Sequence, residues 1–213
     1  MGKLRNGILD GFTGKVGTVV GSFWKGIATM RAYNATPTQS NTPAQLEQRA
    51  KFSLMIKLLA PMIPFLRVGF KSGAIKKSGI NAAMQYNLAN AITGTYPAYD
   101  VDFSKLLVCK GKLVGAANAE VTSSTAGEIE YTWEDNSDGA IVAATDKALL
   151  LLYNPTKNRV TTVVGGNART SGSQSVPCPA NWTGDEVQCF IAFGSENLAV
   201  ISNSEFAGGI IVS

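Results

Sequence analysis

The first residue pair whose types could do chemistry is Gly14-Lys15. It lies inside GFTGKVGTVVGSFWKGIATMRAY, residues 11–33, a glycine-rich and basic stretch. A Walker-type phosphate loop cradles phosphates with backbone N–H groups. It requires a glycine five residues before the Gly-Lys pair and a Ser or Thr after the lysine. Those positions hold Leu9 and Val16, so the pair belongs to a structural pattern and not to a nucleotide site. The sequence contains no histidine, which removes Ser-His-Asp and Cys-His catalysis and the commonest zinc ligand. Cys109, Cys178 and Cys189 form no Cys-x-x-Cys and leave one thiol over in any pairing, so they read as small apolar residues. Glu134, Asp135 and Asp138 cluster in WEDNSDG, but without the calcium-loop spacing. Turn chemistry already accounts for Asp and Asn there. No two acids stand at a separation that predicts glycosidase-type acid–base work. The expectation is a protein without catalytic residues, metal or cofactor, and not an enzyme.

Charge is distributed unevenly. Residues 1–90 carry 12 Lys+Arg against 2 acids, a balance of +10; residues 91–213 carry 7 against 13, a balance of −6. Lys15, Lys25, Arg31, Arg49, Lys51, Lys76 and Lys77 are the candidate contacts for a polyanion, with Phe23, Trp24 and Tyr33 close by in sequence. No nucleic-acid-binding signature accompanies them, so nucleic acid is the alternative partner and a solvated basic face the plainer reading. Opposite charge on the two halves also suits head-to-tail contact between copies.

The elements that must position these residues follow from periodicity. Side chains alternate over residues 14–24, placing Val16, Thr18, Val20, Ser22 and Trp24 on one face and Gly17, Val19, Gly21 and Phe23 on the other. FWKG supplies a turn, and residues 27–33 return as a second strand. Glycines inside strands weaken them unless another backbone comes close. Gly14, Gly17, Gly21 and Gly26, with Trp24, are therefore the expected assembly contacts. A helix is predicted from the Thr42-Pro43-x-Gln45 start, with Phe52, Met55, Ile56 and Leu59 on one stripe and a break at Pro61 and Pro64. A second helix after Ser78 is predicted to run to Gly94. Short strands are then expected at 106–110, 128–133, 147–153, 160–164, 174–178, 186–193, 199–202 and 209–212. ALLLLY is apolar on both faces, as a central strand requires.

The fold class implied is α+β: an N-terminal β-hairpin and helices (residues 1–99), then an antiparallel immunoglobulin/fibronectin-like β-sandwich (residues 100–213). No window approaches 18 uninterrupted apolar residues, so no membrane span is expected. The N-terminus lacks the apolar core of a secretory signal, so synthesis in the cytoplasm is expected.

The segments GKVGTVVGSFWKG, TPAQLEQRAKF, GFK, YNLANAITGTYPAYD, WEDNS, TDKALLLLYNP and GDEV run through nearly the whole chain. In combination they resemble an uncharacterised family of Bacteroidota known only as a domain of unknown function. That resemblance implies the same two-part build and brings no activity or catalytic residue. The Gly-Lys-Val-Gly hairpin, the Thr-Pro-x-Gln and the Arg-x-x-Phe are also similar to openings of hypothetical proteins near phage structural genes. The expected role is a structural subunit that assembles with copies of itself or other structural subunits into a phage-like or filamentous particle. The alternative is a polyanion-binding module.

Overall fold

The structure, a computed structural model, describes residues 3–4, 11–24, 26–35, 42–72, 77–139 and 142–213. The chain divides into two compact units, Met1–Gln45 and Leu46–Ser213. This corrects the expected boundary at 99/100. The helices and the sandwich behind them share one hydrophobic core, so a cut at 99/100 would run through it.

The first unit is an antiparallel sheet of β1 (Lys3–Leu4), β2 (Phe12–Val16), β3 (Val19–Trp24) and β4 (Ile27–Ala32), in that spatial order. The expected strand over residues 14–24 is in fact two strands. Gly17 adopts φ 57° and, with Thr18, forms a two-residue turn that closes on the pair Val16↔Val19. Gly-X is the favoured start of such a turn because the first position needs positive φ. The turn reverses the chain, so Val16 sits on the face of Val19 and not, as alternation alone suggests, on that of Val20.

The second unit begins within α1 (Pro43–Leu59), which runs through a 3-10 turn (Ala60–Met62) into α2 (Ile63–Gly69). Pro61 and Pro64 are the second residues of these two segments, within the first turn of each. A missing N–H costs nothing there, so the prolines restart the helix and do not end it. The stretch Pro43–Gly69 is long and apolar enough to cross a membrane by length and composition, although the notion of uninterrupted apolar residues did not find it. Met55, Leu58, Leu59, Met62, Phe65 and Leu66 are buried in the unit's core, which accounts for its apolar character. After α3 (Gly79–Asn90), capped by Ser78 Oγ accepting from Asn81 N at 3.3 Å, β5 (Ile92–Thr95) and β6 (Ala98–Val101) form a hairpin. Residues 92–94, expected as the end of the helix, open this hairpin.

The sandwich follows. β7 (Ala117–Thr122), β8 (Glu128–Glu134) and β11 (Ser173–Pro177) make one sheet in the order β11-β8-β7. β9 (Lys147–Asn154), β10 (Arg159–Ala168), β12 (Glu186–Gly194) and β13 (Glu205–Ile211) make the other in the order β10-β9-β12-β13. Three strands against four, all antiparallel, with pairs exchanged between sheets, is the immunoglobulin/fibronectin-like arrangement expected. Ile129, Tyr131 and Trp133 face Leu150, Leu152, Cys189, Ile191 and Phe193 across the inner core.

Leu149, Leu151, Tyr153, Phe190 and Ala192 point the other way, into a second core closed by the helices. The doubly apolar β9 is thus covered on both faces, and the unit has three layers. Two expected strands are not strands. Residues 106–110 bend at Val108 and join no strand ladder; side chains hold much of their backbone: Asn87 donates to Leu107 O at 2.8 Å and accepts from Leu107 N at 2.9 Å, and Ser204 Oγ accepts from Val108 N at 2.9 Å, while Lys110 N donates to Gly69 O at 2.8 Å. Of 199–202, only isolated bridges at Ile201 and Ser202 form. β7 was not anticipated.

This layering makes a prediction. A chain of residues 100–213 loses the helices and exposes the five apolar side chains of the second core, each worth about 1.5–3 kcal/mol when buried. It should be molten or insoluble, whereas residues 46–213 should unfold cooperatively with buried Trp133 and Trp182 fluorescence. A sharp thermal transition for residues 100–213 would contradict the shared core.

Candidate assembly surface

The register of the N-terminal sheet sorts its side chains. Pairs across β2, β3 and β4 are Gly14↔Gly21↔Met30 and Val16↔Val19↔Ala32, with Phe23↔Ala28 beyond. Directly paired residues share a face, so this face holds Val16, Val19, Phe23, Ala28, Met30 and Ala32 and carries no charge or hydrogen-bonding side chain. The opposite face holds Lys15↔Val20↔Arg31, then Ser22↔Thr29 and Trp24↔Ile27. Ser22 and Thr29 hydroxyls join at 2.6 Å.

Exposure is the unusual feature. Val16 is 52%, Phe23 49% and Met30 73% exposed, and among the described residues of this unit only Gly21 is buried. A small sheet gains independent stability by covering a hydrophobic face; here Phe12 covers that face at Gly21 and Gly11 comes close to Ala28, but Val16, Phe23 and Met30 stay exposed. In the second unit, by contrast, exposed large apolar residues occur singly, as at Val164 or Ile211, which is normal for any surface.

The expected assembly glycines have local reasons. Gly17 and Gly26 (φ 57° and 82°) are turn glycines with open space where a side chain would be. Gly14 takes φ 99° at a bend in β2. Gly21 lies beneath Phe12: a Cβ there would stand 2.8 Å from the Phe12 ring and closer still to its carbonyl oxygen. The close backbone approach inferred from these glycines is therefore made within the chain. Trp24, half exposed, ends β3 on the charged face. The residues that sequence reasoning passed over are Val16, Phe23, Ala28 and Met30. The signal was the Val-Gly-Thr-Val turn, which sets the register.

The basic candidates are divided between the two units. Lys15 and Arg31 flank Val20 on the first unit, and Lys15 Nζ lies 3.4 Å from the centre of the Tyr33 ring. Val20, Arg31, Tyr33 and Asn34 line a cleft of about 330 Å³. Arg49 and Lys51 lie on α1, with Lys51 Nζ 5.0 Å from the Tyr99 ring, and Lys77 Nζ donates to Gln85 Oε1 at 2.7 Å. Lys25 and Lys76 lie outside the described residues.

Elsewhere the groups that could do chemistry are structural. Burial pushes the Cys189 thiol up to about 12 and the Cys109 thiol higher still, so neither supplies a thiolate at neutral pH. In WEDNSDG, Asp135 accepts from Ser137 N at 3.0 Å and Asp138 from Val142 N at 2.8 Å, closing turns. Among the described residues no group of three metal-ligating side chains comes together.

Among the described residues Arg169 and its partner Asp146 are the buried charges. Arg169, at 0% exposure, reaches Asp146 at 3.2 Å, donates to Val114 O, Gly115 O and Asn136 Oδ1, and stacks 4.0 Å from the Phe193 ring. Burial lowers its pKa from the ordinary arginine value, and Asp146 opposes that shift. Every terminal nitrogen is engaged within the chain, so this is a brace between loops and not a site.

A family model described as "Family of unknown function (DUF6266)" matches residues 11–208. The chain belongs to that family. The match takes in β2, β3 and β4 and the second unit as far as residue 208, within β13; β1 lies before it. No curated protein matches. Among solved structures, the fn3 domain of the human collagen alpha-1(XX) chain is similar to this chain at 9% identity and a TM-score of 0.37. The match covers 47% of this chain and 86% of that one.

Proposed function

We propose that the chain is a non-enzymatic structural subunit, made in the cytoplasm, that assembles through its N-terminal sheet with copies of itself or other structural subunits. The product is a larger particle, phage-like or filamentous. The observation that carries this reading is the uncharged face of Val16, Val19, Phe23, Ala28, Met30 and Ala32, open on a unit that buries almost nothing of its own. Contiguous apolar surface of this kind marks an interaction site. The three-layered unit has its own two-sided core and serves as the body that the sheet links to its neighbours.

A second reading has its own observation. Arg31 and Tyr33 line a cleft on the other face of the same sheet, and Lys15 Nζ lies over the Tyr33 ring; cations beside an aromatic platform suit a single-stranded polyanion. Salt separates the two. Screening shortens from about 8 Å at physiological ionic strength to about 3 Å at 1 M, whereas burial of apolar surface is not screened. Light scattering of the full chain should show oligomers that persist at 1 M salt, reduced only in part. Complete reversible dissociation at 1 M would contradict the apolar contact. A chain that stays monomeric while binding nucleic acid with a steep salt slope would establish the second reading in its place.

A further inference from the structure

We infer that two copies of this chain pair edge to edge, antiparallel, through β4, with Met30 on the two-fold axis. The inference rests on the assembly reading and names the contact within it.

Among the described residues β4 is an edge of its sheet, bonded to β3 alone. An edge strand is a template for another strand, and natural sheets blunt such edges with proline, bulges or charges. The ladder from Val19↔Ala32 to Trp24↔Ile27 runs without a register shift. Ile27–Ala32 contains no proline and one charge, Arg31, and all six residues are exposed. Two residues connect β3 to β4, so the closing pair Trp24↔Ile27 is hydrogen-bonded and the pairs alternate from there. Ala28, Met30 and Ala32 consequently turn their backbone N–H and C=O groups to the open edge.

The same three residues place their side chains on the uncharged face. Pairing edge to edge through them keeps every apolar side chain of both copies on one face of a doubled sheet.

Charge selects a second copy and sets the register. With Met30 opposite Met30 of the other copy, Ala28 meets Ala32 and Arg31 meets Thr29, so all three outward backbone positions are used. A register centred on Arg31 would set like charges directly opposite, which destabilises a pair, and would use the inward-facing backbone groups.

The test uses the full chain carrying Cys178→Ser, since Cys178 is the half-buried native thiol and Cys109 and Cys189 are buried. Opposed residues of a hydrogen-bonded pair have Cα atoms about 5.5 Å apart, within disulfide reach, whereas residues beyond about 7 Å are not bridged. Met30→Cys should form a disulfide-linked dimer under mild oxidation at least tenfold faster than Thr29→Cys, with Arg31 retained in both. Ala28→Pro, which removes an outward N–H but no β3–β4 bond, should abolish pairing without lowering the melting temperature. Equal or faster cross-linking of Thr29→Cys would overturn the register. Oligomers that survive Ala28→Pro and give no Met30→Cys cross-link would overturn edge pairing while leaving assembly through the sheet intact. A full chain that is monomeric at every concentration would remove both readings.

Discussion

Replacing Arg169 by methionine should lower the unfolding free energy by about 3–5 kcal/mol, the range for breaking a buried ion pair by removing one partner. The loss comes from what stays behind. Asp146, at 3% side-chain exposure, keeps its charge without its cation, and the carbonyls of Val114 and Gly115 lose their donor. Both loop ends and the face of the Phe193 ring are then left against a shorter, apolar side chain. Adding Asp146→Asn should recover part of the loss, since no buried charge then remains unpaired. Urea unfolding followed by Trp fluorescence reads both changes as a shift in midpoint at constant slope. A loss below about 1 kcal/mol would show that the brace carries no more than a surface pair.

A double variant of the apolar face, Phe23→Glu with Met30→Glu, should abolish assembly and leave the second unit untouched. Met30 faces Met30 of the other copy at the centre of the pairing, so Met30→Glu sets like charges directly opposite, which destabilises a pair, and Phe23→Glu puts a further like charge on the same face of each copy. The dissociation constant should rise tenfold for each loss of about 1.4 kcal/mol. Both side chains are about half exposed or more within the chain, so the melting temperature of the three-layered unit should stay within a degree or two. A drop in melting temperature with unchanged mass would place these residues in the chain's own core and contradict the account.

How far the sequence carried this reading can be seen residue by residue. ALLLLY read correctly as a central strand because apolar residues on both faces have one geometric meaning, yet nothing in those six residues says what covers the second face. The answer lies in α1 and α2, nearly a hundred residues earlier, and it moved the division between units from 99/100 to 45/46. Residues 106–110 have the composition of a strand, but their partners are the side chains of Asn87 and Ser204, and pairing of that kind leaves no periodicity. β7 was missed because Ala117–Thr122 alternates only weakly in hydrophobicity. In the candidate surface, the glycines were legible as backbone requirements, but their cause was local: turns at Gly17 and Gly26, and Phe12 over Gly21. Recognising Gly17-Thr18 as a turn is the step that brings Val16, Phe23 and Met30 together. Arg169 has no signal in sequence at all; a single arginine in a short turn becomes a brace only when three distant loops converge on it.

Sedimentation equilibrium of the full chain beside residues 46–213, over a hundredfold range of concentration, tests the central claim most directly. If the N-terminal sheet is the assembly surface, the full chain will show mass rising with concentration above that of one copy, and residues 46–213 will remain a single copy throughout. Equal masses for the two chains at every concentration, whether both monomeric or both associated, would contradict it.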